Sequence, residues 1–423
     1  MINTHSQLQI LALKVFQTLD AKLRNNLLVL FTAGLLFWSS IAALLPTLPL
    51  YIADIGATSQ QIGIVMGSFA IGMLVFRPWC SNLADRRGRK IVLLLGMWAV
   101  AMAPLGYIFA TDIAPLMVLR AFHGLSMAAF GTAYIALVGD LAPVQNRGEI
   151  ISYMSLVNPI GVAIGPALGG YLQAVAGYQP LFLLSAALGF VGMFCLIPIV
   201  NPDAHEKHDE NDEKDVFWRL LLTPRVRVPA IVMLLIGMVL GTLHTFVPLF
   251  IQSTGVDLNP GLFYTVGAIA SFQVRLFIGR ASDKYGRGLF ITISLIAFTC
   301  SMIGIWLANN APILLISAFV QGAASGTVIP MMAAMMTDRA QPHERGRIFG
   351  VSLVGFDIGI AIAGPILGSV AEQLGYRNMF GFAAGLTFLA VLIFVTQSSH
   401  NLNNSLRFAL GRGADSYSFH NGH

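Results

Sequence analysis

The chain has 423 residues, of which 56% are hydrophobic and 11% charged, with mean hydropathy +0.73 and formal net charge +5. Soluble domains carry about a quarter charged residues, so this composition excludes an ordinary soluble domain and points to a polytopic membrane protein. The positive residues stand in short loops between apolar runs, which is a topology signal and gives no reason to expect a nucleic-acid partner.

Residues 1–26 are mildly amphipathic and read as a leading segment. The first apolar run, Leu27 to Tyr51, is too long for the core of a signal peptide. A membrane helix needs about 20 mostly apolar residues. Such runs recur at 27–51, 60–82, 90–111, 113–139, 149–172, 179–200, 228–252, 261–281, 289–309, 311–336, 347–371 and 378–397, predicting twelve spans in an all-α membrane protein. Segments on one side carry Lys14, Lys22, Arg24, Arg86, Arg87, Arg89, Lys90, Arg147, Arg219, Arg225, Arg227, Lys284, Arg287, Arg339, Arg345, Arg347, Arg407 and Arg412, whereas the loops of the other side offer only Arg377. Lysine and arginine mark the cytoplasmic side, so both termini are expected there, in a cytoplasmic membrane. The long, mixed-charge stretch 201–227 divides the spans six and six, and reads as a linker between bundles at 27–200 and 228–399. His205 and His208 within it read as solvated residues. Residues 400–423 read as a mobile polar tail. Cys80, Cys195 and Cys300 fall in or beside separate runs, as small packing residues without metal-ligand spacing.

The two halves repeat one another. FRPWCSNLADRRGRK, beginning at Phe76, is echoed by VRLFIGRASDKYGRG, so that Arg77, Asp85, Gly88 and Arg89 return 198 residues later as Arg275, Asp283, Gly286 and Arg287. Asp140 and Arg147 return at the same offset as Asp338 and Arg345. Two homologous six-helix bundles are predicted, an arrangement typical of secondary transporters, with the substrate site at the repeat interface.

SNLADRRGRKIVLL resembles the loop signature GxLaDRxGRKxxL of the major facilitator superfamily, departing at Ser81. LRAFHG resembles that family's RxxQG element, with Arg120 in place and His123 standing for Gln. GVAIGPALGG matches the GxxxGPxxGG element of its proton-driven exporters through Gly161, Gly165, Pro166, Gly169 and Gly170. The resemblance covers residues 26–400 and implies the major facilitator fold, with a drug:proton antiport activity. It also implies a role for Arg120 and His123 in proton movement, and a cavity lined by the first, fourth, seventh and tenth spans, where Trp38, Ser39, Ser40, His244, Gln321 and Ser325 stand.

Elementary electrostatics adds expectations. Asp85 ends the second span, and a carboxylate is stabilised at a helix N-terminus. It is expected to cap the eleventh helix near Arg347, with Asp283 doing the same for the fifth near 148–150. Arg86, Gly88, Arg89, Asp140 and Arg287 complete this cytoplasmic gate, in which the basic cluster pairs with Asp140; the alternative is that these charges only set topology. Arg77 lies inside the membrane, where a charge usually has a partner. Asp357 is the one carboxylate well inside an apolar run, so an Arg77–Asp357 ion pair between the halves is predicted. In the repeat, Asp357 aligns with Asn158, predicting an Arg275–Asn158 hydrogen bond. Asp357 is then the first choice for the coupling proton, the alternative being a permanent scaffold pair. Asp54 is the acid expected nearest Arg120. The glycines of the fifth span permit close helix packing in lipid, with or without an antiporter meaning.

These features favour export of a small amphipathic molecule against protons, by a monomer in a lipid bilayer, with no cofactor beyond the proton gradient. A carrier for a defined metabolite is the other transporter reading. An enzyme is not expected: HExxH, GxSxG and paired intramembrane carboxylates do not occur, and there is no Walker-type loop to bind ATP.

Overall fold

The computed structural model describes residues 19–199, 223–341 and 345–418. Residues 1–18 and most of the expected linker, including His205 and His208, lie outside them. Among the described residues the fold is all-helical, with eleven helices long and apolar enough to cross a membrane. They are Ala21–Asp54, Ser59–Arg87, Arg89–Phe109, Ile113–Leu141, Arg147–Ala176, Tyr178–Leu196, Pro224–Thr254, Pro260–Gly279, Arg287–Leu307, Ala311–Asp338 and Leu353–Gln397. The last of these belongs to a continuous stretch, Arg345–Gln397, that is broken at Gly375 (φ 80°, ψ 158°) into an eleventh and a twelfth span. The expected twelve crossings are therefore present.

The repeat extends to the backbone. Gly88 (φ 88°, ψ 155°) and Gly286 (φ 89°, ψ 140°) turn the chain between the second and third spans of each half. Gly177 (φ 83°) and Gly375 (φ 80°), again 198 residues apart, do so between the fifth and sixth. A Cβ is strained in this region, so only glycine adopts it freely. The ion pairs repeat as well: Arg89 pairs with Asp140, and Arg287 lies 2.9 Å from Asp338. Each arginine thereby ties the start of the third span of its half to the end of the fourth. On the opposite face, Arg377 donates to the carbonyls of Trp306 (2.7 Å) and Ala308 (2.9 Å). It satisfies carbonyls that the end of the ninth span leaves without helical partners.

The tail differs from expectation. Its described part is ordered and packed: Asn401 caps a helix, Leu402–Ala409, and the chain then folds back beneath the second half. Arg339, fully buried, donates to Asp415 Oδ2 (2.6 Å), the Arg225 carbonyl (3.0 Å) and the Ser398 carbonyl (2.8 Å). Its guanidinium also lies 5.0 Å from the Tyr417 ring. One side chain thus joins the tail to the start of the seventh span and the ends of the tenth and twelfth. Gly288 packs against the Phe408 backbone, so the tail also covers the loop that repeats the family signature.

Candidate functional site between the two halves

The halves meet along two seams. In the first, the second span packs on the eleventh: Gly63 and Gly364 are in backbone contact, Gly67 meets the Ala361 carbonyl, and Gly368 meets that of Ser59. Ser59 and Tyr376 share a hydrogen bond of 2.9 Å, and the Gln60 amide donates to Glu372 Oε2 (3.2 Å). In the second, the fifth span packs on the eighth: Gly261 touches the Pro166 carbonyl, Gly170 faces the Asn259 side chain, and Thr265 donates to the Ala163 carbonyl (2.9 Å). All these contacts lie in the parts of the spans away from the basic loops, so the halves are sealed on that face.

Gly161, Gly165 and Gly169 recur every fourth residue and so share one face of the fifth span. They press against Trp38, Ser39, Ala42 and Ala43 of the first span. A side chain at any of them would meet that backbone, while Gly170 and Pro166 serve the seam with the eighth span. The motif therefore sets both contacts of the fifth helix. Gly364→Val is expected to push the second and eleventh spans apart. Overpacking costs about 1–3 kcal/mol, which moves the balance between closed and open about 5- to 150-fold. A short thiol cross-linker between Gln60→Cys and Glu372→Cys, in a chain freed of Cys80, Cys195 and Cys300, reads this. Its yield should fall in the Gly364→Val background, and an unchanged yield would mean that this contact does not govern closure.

Nearer the basic face the predicted ion pair forms. Arg77 Nη1 lies 2.5 Å from Asp357 Oδ2. Asp357 is 4% exposed, whereas the Arg77 side chain is 36% exposed. Arg77 is ten residues from Gly67, but Asp357 only four from Ala361. Side chains on a helix lean toward its N-terminus, so the long arginine reaches back to the carboxylate. The halves are thus bridged here by a side chain rather than by backbone contact.

The symmetric counterpart is not formed. Arg275 makes no hydrogen bond to Asn158 among the described residues, and its buried Nε is without a partner. Alignment placed the two residues at matching depths, but it carried no information on where a long side chain turns.

Asp85 and Arg86 are exposed. The side chains at 345–347, where the Asp85 cap is expected, lie outside the described residues, as does that of Asp283.

Arg120 (6% exposed) and His123 (0%) do come together: Arg120 Nη1 is 3.4 Å from His123 Nδ1. Tyr107 Oη, on the third span, lies 3.1 Å from the same nitrogen, and the guanidinium sits 4.5 Å from the centre of the Phe69 ring. Nothing in the order of residues singled out Tyr107 or Phe69. The expected partner Asp54 is instead exposed and accepts from Tyr178 (2.5 Å), because it stands beyond the buried part of the first span.

His244 and Gln321 are half-buried on the seventh and tenth spans, and Arg120 is within electrostatic reach of His244. Trp38 is half-buried, edge-on to Phe37 and Phe130. Ser39 and Ser40 correct the expectation of a cavity lining. Ser39 is buried in the contact with the fifth span, and Ser40 donates to the Ser185 carbonyl (2.8 Å) on the sixth. Small residues on the first span serve helix packing there.

Comparison with known proteins agrees with this architecture. A staphylopine export protein of Staphylococcus aureus is 27% identical over 374 residues, covering 86% of this chain and 94% of its own. The multidrug resistance protein MdtG of Proteus mirabilis is 26% identical over 387 residues, covering 87% and 94%. The crystal structure of the nucleoside transporter NupG superposes with a TM-score of 0.74 at 17% identity, covering 87% of this chain and 98% of that one. The family model described as Major Facilitator Superfamily matches residues 30–276 and 257–412. With its twelve crossings, internal repeat and paired loop charges, the chain belongs to the Major Facilitator Superfamily.

Proposed function

We propose that the chain is a proton-driven exporter of a small amphipathic molecule, working as a monomer in the cytoplasmic membrane with its basic face and both termini in the cytoplasm. The observation that carries this reading is the Arg77–Asp357 pair, an ionisable bridge between halves that must move apart. The full-length likeness to relatives named for multidrug resistance and staphylopine export supports the outward direction.

A buried carboxylate holds its charge while a cation stands beside it, and is neutralised by a proton when that cation is withdrawn. Proton binding at Asp357 therefore releases Arg77 and lets the halves rock, and proton loss restores the bridge. Arg120 and His123 stand near the sealed face, where protons arriving from outside would first meet them. Arg89 with Asp140, and Arg287 with Asp338, keep each half rigid during the motion, while Asp85, Arg86, Gly88 and Asp283 close the cytoplasmic mouth. The chain needs no cofactor in this scheme, and no chemical conversion of the cargo.

A carrier for one defined metabolite is the second reading, favoured by the relative named for a single exported compound. Proteoliposomes under an imposed pH gradient, given lipophilic cations, antibiotics, sugars and chelators in turn, separate these. Proton movement triggered by more than one amphipathic compound is expected. Movement triggered by one compound alone favours the second reading, and transport without proton movement removes antiport.

A further inference from the structure

Arg120 is a full positive charge inside a membrane-spanning helix, and such charges are normally paired. No carboxylate among the described residues pairs with it: the acids at that end, Asp54, Asp112, Asp257 and Glu372, are all exposed. Its immediate neighbours are a ring face and an imidazole. An arginine cannot accept a hydrogen bond, so His123 Nδ1 is the acceptor toward Arg120, and the proton of the neutral ring sits on Nε2. Both Arg120 Nε and His123 Nε2 are buried and have no partner. These are two hydrogen-bond donors with one uncompensated charge, facing no acceptor. Leaving buried donors unpaired is costly, more so for charged groups.

Tyr107 packs on Phe182 of its own half, ring centroids 5.8 Å apart. From the other half, His244 adds a further imidazole within electrostatic reach of Arg120. Water would satisfy the donors but leave the charge. An anionic group with two oxygens would do both, and the guanidinium fork matches a carboxylate. Phe69, beneath the guanidinium, and Tyr107, fully buried, make its surroundings apolar.

We propose that Arg120 and His123 form the subsite for a carboxylate on the exported molecule, so that the cargo is an apolar acid and not a lipophilic cation. This rests on the export reading, because it names what the exported molecule carries.

The test is equilibrium binding to the purified full chain in detergent, without any gradient, of naphthoate, naphthamide and naphthyl-trimethylammonium. These share an apolar body and differ in the head group. Naphthoate is expected to bind about 10- to 100-fold more tightly than the amide, the range for a hydrogen bond to a charged group, with the cation weakest. In Arg120→Gln the acid and the amide should bind alike. Arg120→Lys keeps the charge without the fork, and should retain part of the preference. His123→Gln keeps Arg120 and should lower the preference less, which preserves the test if Arg120→Gln fails to fold. Equal binding of acid and amide, tighter binding of the cation, binding of none of the three, or a preference unchanged in Arg120→Gln each overturns the proposal. Because binding is read without a gradient, such a failure is separate from failure of proton antiport, which the proteoliposome experiment reads.

Discussion

Asp357→Asn is expected to abolish proton-driven transport while leaving cargo exchange in place. Asparagine keeps the size of the side chain and an oxygen facing Arg77, but it cannot take up and release a proton. The fold should survive, because the arginine left behind is 36% exposed and water shares its charge. Arg77→Gln is the harsher single change, since it leaves the carboxylate at a site that is 4% exposed. Breaking a buried pair from one side costs about 3–5 kcal/mol, whereas replacing both partners is often close to neutral. The double variant Arg77→Gln with Asp357→Asn should therefore recover thermal stability and still fail to couple. Gradient-driven transport and gradient-free counterflow, measured side by side, distinguish the two roles. Counterflow retained with driven transport at background supports coupling through Asp357. Driven transport that survives in Asp357→Asn would reduce the pair to part of the scaffold.

Arg339→Met should produce the largest loss of stability outside the seams. The substitution removes hydrogen bonds to Asp415, Arg225 and Ser398 and takes the guanidinium away from the Asp415 side chain, which is 10% exposed. A loss of about 3–5 kcal/mol follows from breaking a buried pair on one side. Methionine fills much of the vacated space, so the cost is chiefly electrostatic. Two measurements read it: the apparent Tm of the purified chain, and the rate at which trypsin cuts at the exposed Arg407. Both should change together, since the same contacts hold the tail and join three spans. Asp415→Asn, which leaves an acceptor in place, should cost less. An unchanged Tm and cleavage rate in Arg339→Met would show that the docked tail contributes nothing to stability.

The order of residues by itself determined the number of crossings, the division into two halves and the pairing of the basic loop cluster with Asp140. These follow from features that a one-dimensional string preserves. Apolar runs have the length of a bilayer, the repeat keeps one offset, and Gly88 and Gly286 mark turns that only glycine makes easily. Even Arg77 with Asp357 was legible, because charges inside apolar runs are so few that one carboxylate stood at a suitable depth. Tertiary structure alone decided which way side chains turn and what covers them. Arg275 and Asn158 occupy the repeat positions of a bonded pair and do not bond. Arg120 found a ring face and an imidazole, while Asp54 found Tyr178. A polar tail became ordered because one buried arginine, unremarkable in the sequence, faced its aspartate across 76 residues. The physical reason is common to these cases. Depth in a membrane is written along the chain, but direction around a helix axis, and the neighbour met there, depends on how the helices pack.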